Sequence, residues 1–83
     1  MEIVYFAWGR ERIGTGSENV SPPAGATTVQ ELLDWLATRS PGHAAALADR
    51  SAIRVAVDHD FVGFGASISA AQEIAIFPPV TGG

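Results

Sequence analysis

Apolar positions along this chain come in short alternating runs, broken once by a helical stripe. From 2 to 8, Ile3, Tyr5 and Ala7 fall on one side and Val4, Phe6 and Trp8 on the other, which predicts a strand apolar on both faces and therefore central. Residues 9–16 read as a turn region with a short helical turn at 10–13, and 17–21 as a second strand ended by Pro22, Pro23 and Gly25. Val29, Leu32, Leu33 and Leu36 then repeat at i, i+3, i+4 and i+7. Thr28 and Glu31 fit a capping box at the start of this helix, and Ser40-Pro41-Gly42 is expected to stop it. The alanine-rich segment 43–49 predicts a second short helix. Residues 52–57 predict a strand, 58–60 a turn, 61–64 its antiparallel return, and 73–77 the last strand.

The order β-β-α-β-β-β predicts an α+β roll, a sheet with one main helix across a single face. At 83 residues the chain allows one small domain. Its body spans 1–77, because Pro78 and Pro79 lack the N–H a ladder needs and stiffen the residues after them. The remaining 78–83 segment reads as an extended tail. At roughly 3.1–3.4 Å per residue it reaches on the order of 20 Å from the body. Gly82 and Gly83 carry no Cβ and suit a narrow passage, although a terminal Gly-Gly by itself also fits an ordinary frayed end.

Composition narrows the chemistry. Hydrophobic residues make up 47% of the chain, which suits a folded domain. There is no cysteine, which excludes disulfides, Cys-based metal sites and thiol catalysis. The net charge of −4 and the absence of a Lys/Arg stripe disfavour nucleic acid. Apolar runs fall well short of the roughly 20 residues that cross a bilayer, and no basic segment precedes an apolar one at Met1, so no membrane partner is expected and a cytoplasmic location is the default.

Internal catalytic motifs fail on inspection. Gly9 to Thr15 has the glycine spacing of a phosphate-binding loop, but Thr15 stands where the lysine must be. Asp58-His59-Asp60 juxtaposes carboxylates and an imidazole, yet neighbours in an extended turn point apart, so a solvated turn is the better reading and no metal is expected. His43 reads as a surface residue at a helix start.

The end of the chain, Phe77-Pro78-Pro79-Val80-Thr81-Gly82-Gly83, resembles that of the small, sulfur-carrying subunits of molybdopterin synthase, a ubiquitin-like family. The beginning is similar too, in Val4-Tyr5-Phe6-Ala7 followed by Arg10-Glu11 and Gly14. The resemblance implies a β-grasp fold with the first and last strands parallel at the sheet centre. It implies that Gly83 is adenylated by an E1-like enzyme using ATP, converted by a sulfurtransferase to a thiocarboxylate, and presented on Gly82 to the pyranopterin precursor of the molybdenum cofactor. No cofactor bound by this chain is implied. The partner would be the synthase large subunit, in a heterotetramer, with Pro78, Pro79, Val80 and Thr81 entering its pocket. Phe6, Phe61 and Phe77 fit a core as phenylalanines commonly do; the resemblance implies instead that their positions form a docking face, the preferred reading for Phe77.

Two departures from the family pattern stand out. Ala70-Ala71-Gln72 replaces the usual Asp-Gly-Asp before the last strand, and Ile76 stands where a second Phe is common. Rival readings are a carrier for another pathway, such as thiamine thiazole synthesis, a ubiquitin-like modifier of target lysines, and a plain interaction module. Carriers of the thiazole type generally lack the Pro-Pro pair.

Overall fold

The computed structural model describes residues 1–78, so the expectations for Pro79, Val80, Thr81, Gly82 and Gly83 lie outside the described residues. The elements run β1 (Glu2–Tyr5), α1 (Ala7–Ile13), β2 (Ser17–Asn19), α2 (Val29–Leu36), α3 (Pro41–Ala46), a 3-10 turn (Arg50–Ala52), β3 (Arg54–Val57), β4 (Asp60–Val62) and β5 (Glu73–Phe77). They form one five-stranded sheet in the order β2-β1-β5-β3-β4. β1 and β5 are parallel neighbours, with Ile3 opposite Ile74 and Tyr5 opposite Ile76, while the other three pairings are antiparallel. This is the expected mixed sheet: α2 is the expected main helix, α3 answers to the short helix expected at 43–49, and α1 is a longer form of the helical turn expected at 10–13.

Strand β1 is shorter than its alternating pattern. The Phe6 N–H still donates to the Ile76 carbonyl at 3.2 Å, but Ala7 then adopts φ 53° and starts α1. A left-handed alanine costs about 1 kcal/mol or more, so the surrounding ladder and helix must hold it there. Trp8 therefore lies on α1, half-buried against the core, not on the strand. The glycine-spaced segment is this helix, and Gly14 closes it at φ 94° with its N–H donating to the Arg10 carbonyl.

Helix α2 begins as its sequence signature requires. Thr28 Oγ1 accepts from the Glu31 N–H at 3.3 Å, and Glu31 Oε1 accepts from the N–H groups of Thr27 and Thr28 at 3.1 Å each. The Thr27 N–H and hydroxyl, with help from Thr28, hold the Glu31 carboxyl below its ordinary value. Such a cap contributes about 1 kcal/mol. Val29, Leu32, Leu33 and Leu36 are completely buried against the sheet, each stabilising by roughly 1.5–3 kcal/mol.

Ser40-Pro41-Gly42 does not end this helix. It begins the next one: Ser40 Oγ accepts from the His43 N–H at 3.1 Å, and Pro41 occupies the first turn, where a missing N–H costs nothing. Gly42 lets α3 approach α1, because a Cβ there would run into the Arg12 carbonyl oxygen.

The β3–β4 hairpin turns on Asp58 and His59, at φ 47° and 77°. A two-residue loop of this hand usually contains glycine. Here the Asp58 carboxylate fastens it, accepting from the N–H groups of Gln72 at 3.0 Å and Glu73 at 2.9 Å. The same carboxylate organises the Ala70-Ala71-Gln72 segment as it enters β5. The expected turn at 58–60 is thus present, with Asp60 as the first residue of β4.

Candidate functional site

Strand alternation gives the sheet two different faces. Ile3, Tyr5, Val55, Ile74 and Ile76 point inward under the helices and are at most 3% exposed. Val4, Ala56, Phe61, Ala75 and Phe77 alternate with them and lie on the outer face, which no helix covers.

On that outer face three phenylalanines meet at one end. The Phe6 and Phe77 rings stack at 4.5 Å and 7° between planes, and Phe61 tilts against Phe77 at 5.3 Å. Phe6 remains 42% exposed and Phe61 68% exposed. The core reading of Phe6 and Phe61 is therefore set aside. Phe77 is the middle ring, half-buried between the other two. Ala56 and Ala75 sit on this open face yet are only 3% and 6% exposed. Phe61 is directly opposite Ala56 in the ladder, and Ala56 is opposite Ala75, so small residues floor the patch that the rings overhang.

The trio sits at the C-terminal end of β5, next to Pro78. β5 carries Phe77 to the end of the sheet, and Pro78 comes directly after it. Phe6 reaches the same place from β1 because the parallel register sets Tyr5 beside Ile76. Phe61 reaches it from β4, two strands away from β5. Sequence positions 6, 61 and 77 are brought together only by this strand order.

Beside Phe6 an open recess of about 570 Å³ is lined by Ala7, Arg10, Glu11, Gly14, Thr15 and Gly16. Its walls are polar and shallow, unlike the mostly apolar lining of small-molecule sites. Among the described residues no group of three or more His, Asp or Glu side chains is placed to hold a metal ion. No helix among them is long and apolar enough to cross a membrane.

The inner face holds a polar knot that the sequence did not reveal. Glu18 Oε2 accepts from the Tyr5 hydroxyl at 2.7 Å and meets His43 Nε2 at 2.7 Å, while Glu18 Oε1 lies 3.3 Å from Arg39. Ser40 Oγ satisfies the other imidazole nitrogen at 2.7 Å, and Tyr5 packs edge-on against the His43 ring. His43 is therefore buried at 8% exposure, not at the surface. The reason is tertiary: α3 starts two residues early, which turns His43 inward toward β2. Burial alone would push the Glu18 carboxyl up, but hydrogen bonds from His43 and Tyr5 and the charges of His43 and Arg39 outweigh it and hold it below its ordinary value. Burial, with the adjacent Glu18 carboxylate, pushes the Tyr5 phenol far up.

Residues 3–83 match the ThiS family. The chain belongs to that family. Over its full length it is 36% identical to the molybdopterin synthase sulfur carrier subunit of Escherichia coli (strain K12), covering 99% of that protein. It is 38% identical to the Homo sapiens protein of the same name, again over all of this chain and 93% of the relative. In three dimensions it is similar to small archaeal modifier protein 1 of Haloferax volcanii, with a TM-score of 0.73 at 30% identity, over 96% of this chain and 97% of that one. These matches fit the β-grasp expectation and the resemblance read from the tail.

Proposed function

We propose that this ThiS-family chain is the sulfur-carrier subunit of a molybdopterin synthase, with Gly83 as the carrying residue. The observation that supports this best is the exposed ring trio at the root of a Pro-Pro-Val-Thr-Gly-Gly tail, on the face that no helix covers. An exposed apolar patch on a small domain marks an interaction site. The tail that starts beside it would be delivered into whatever covers the rings. Full-length similarity to relatives named molybdopterin synthase sulfur carrier subunits supports the carrier role.

A carboxylate is a poor electrophile. An E1-like partner would join Gly83 to AMP at the expense of ATP, releasing pyrophosphate. A sulfurtransferase persulfide would then displace AMP, and a second thiol would reduce the resulting acyl disulfide, leaving –CO–SH. In the large subunit the thiocarboxylate sulfur would attack a side-chain carbon of the pyranopterin precursor, forming a C–S bond as the C–O bond there breaks and its oxygen departs. Water would cleave the acyl–sulfur bond, leaving sulfur on the pterin and a carboxylate on Gly83. A dithiolene requires two such visits. The chain contributes position and a reactive atom, and the partner contributes the electrostatics.

A second reading, a ubiquitin-like modifier, is favoured by the likeness to the archaeal modifier protein. One experiment separates them. Incubation with an adenylating enzyme, ATP and a persulfide donor should exchange one C-terminal oxygen for sulfur, read by intact mass and mapped to the terminal peptide. Addition of large subunit and precursor should then restore the carboxylate. An unchanged terminus under conditions that convert the Escherichia coli carrier would overturn the carrier reading, and amide bonds to target lysines in its place would establish the modifier.

A further inference from the structure

Arginine side chains in this chain are mostly spoken for. Arg39 pairs with Glu18 at 3.3 Å, Arg50 with Asp34 at 2.9 Å, and Arg12 lies 5.4 Å from the centre of the Trp8 ring. Arg10 and Arg54 differ: both are exposed and neither pairs with a carboxylate among the described residues, but the Arg10 side chain lies from α1 against Gly16, whereas Arg54 stands on the sheet, where its only hydrogen bond among the described residues is a 3.3 Å contact from Nη1 to the neighbouring Ile53 carbonyl.

Its position is more informative than its freedom. Arg54 and Phe77 are the terminal pair of the β3–β5 ladder. Directly opposed residues share a face, so Arg54 stands on the outer face beside the middle ring of the trio, one residue from where the tail departs. The acids of that face, Glu2 and Glu73, stand opposite each other at the far end of the β1–β5 ladder. Glu73 and Phe77 are four residue steps apart along β5, roughly 13 Å. The outer face is therefore polarised: apolar and cationic at the tail root, acidic at the far end.

We propose that Arg54 forms an ion pair with an acidic side chain of the synthase large subunit, at the mouth of the channel that receives the tail. The proposal rests on the sulfur-carrier reading. A partner that covers Phe6, Phe61 and Phe77 strips water from the guanidinium next to them, and a buried cation without a counter-charge is costly. A carboxylate at the mouth meets that cost, in the bidentate geometry that guanidinium prefers. The receiving subunit is thus acidic at its mouth, whatever cations it holds at depth for Gly83.

Calorimetric titration of the large subunit with wild type, Arg54→Ala, Arg54→Lys and Arg54→Glu, each at two salt concentrations, tests this. Arg54→Ala should bind about tenfold more weakly with a shallower salt dependence, Arg54→Lys should fall between it and wild type, and Arg54→Glu should be weakest. Melting temperatures and the rate of thiocarboxylate formation should not change, because the side chain is exposed and the proposed ion pair forms only with the large subunit. The proposal is overturned if Arg54→Ala matches wild type in affinity and salt dependence, if Arg54→Glu binds more tightly, or if only loading by the adenylating enzyme suffers. It is equally overturned if wild type buries this face in a dimer of its own. Failure of wild type itself to load sulfur or to bind the large subunit would remove the carrier reading, a result distinguishable because it is independent of residue 54.

Discussion

The two faces of the sheet use the same strands to opposite ends. Under the helices, aliphatic side chains are packed to near-zero exposure, and the polar groups there, Tyr5, Glu18, His43 and Ser40, satisfy one another within 2.7 Å contacts. On the outer face three rings are grouped beside the ladder position of Arg54, and no helix among the described residues covers them. The inner face has finished its interactions and the outer one has not. Exposure alone does not make that distinction, because every small protein shows apolar surface. What makes it is grouping: the large exposed side chains share one end of one face with the start of the tail.

The comparison breaks most visibly under truncation. Leu33→Ala, on the fully buried stripe of α2, should cost about 2–5 kcal/mol of stability in a denaturant titration. Phe61→Ala, the most exposed of the rings, should change stability in the same titration by less than about 0.5 kcal/mol. Comparable destabilisation by the two would mean that Phe61 belongs to the folding core.

Phe77→Ala sharpens the contrast, because its ring belongs partly to both functions. Loss of the stacking with Phe6 and the contact with Phe61 should cost about 0.5–1.5 kcal/mol of stability. In calorimetry against the large subunit the variant should lose about 2 kcal/mol, roughly thirtyfold in affinity, as an anchor near the centre of an interface does. Undiminished affinity in a folded Phe77→Ala protein would return this ring to a purely structural role.

A modest, pH-dependent effect is expected at the inner knot. Glu18 is held below the ordinary glutamate value of 4.5 in the fold. Its contribution is therefore fully present above about pH 4.5 and is lost as pH falls through the lower folded value. Glu18→Gln should be less stable than wild type by about 1 kcal/mol at pH 6, with the gap narrowing toward pH 3. Parallel stability profiles for the two proteins, measured by thermal melts across that range, would show that the knot carries no such linkage. Sulfur loading should be unaffected, because the knot and the tail root lie on opposite faces.

Much of the architecture was legible because local chemistry and tertiary need agree. The Thr28–Glu31 box and the Val29-Leu32-Leu33-Leu36 stripe are recorded within a few residues, and the 73–77 strand is bounded by a proline that no central ladder tolerates. Where local signals were ambiguous, context chose. The alternation through Trp8 continued past the true end of β1 because a two-residue period cannot register a single left-handed alanine. Ser40-Pro41-Gly42 carried both a stop and a start signal, and Gly42's contact with α1 belongs to the start.

The sequence by itself determined the capped helix and the existence and order of the five strands, since each depends on residues that are neighbours in the chain. Only the tertiary structure decided the rest. Glu18 meets Tyr5, Arg39 and His43, and Arg54 stands opposite Phe77 in the β3–β5 ladder, across separations that no local pattern encodes. Parallel pairing of β1 with β5, and antiparallel pairing of β5 with β3, creates those contacts by choosing which side chains share a face. That choice is made by burial of the whole inner face at once, a collective free energy with no signature at any single position.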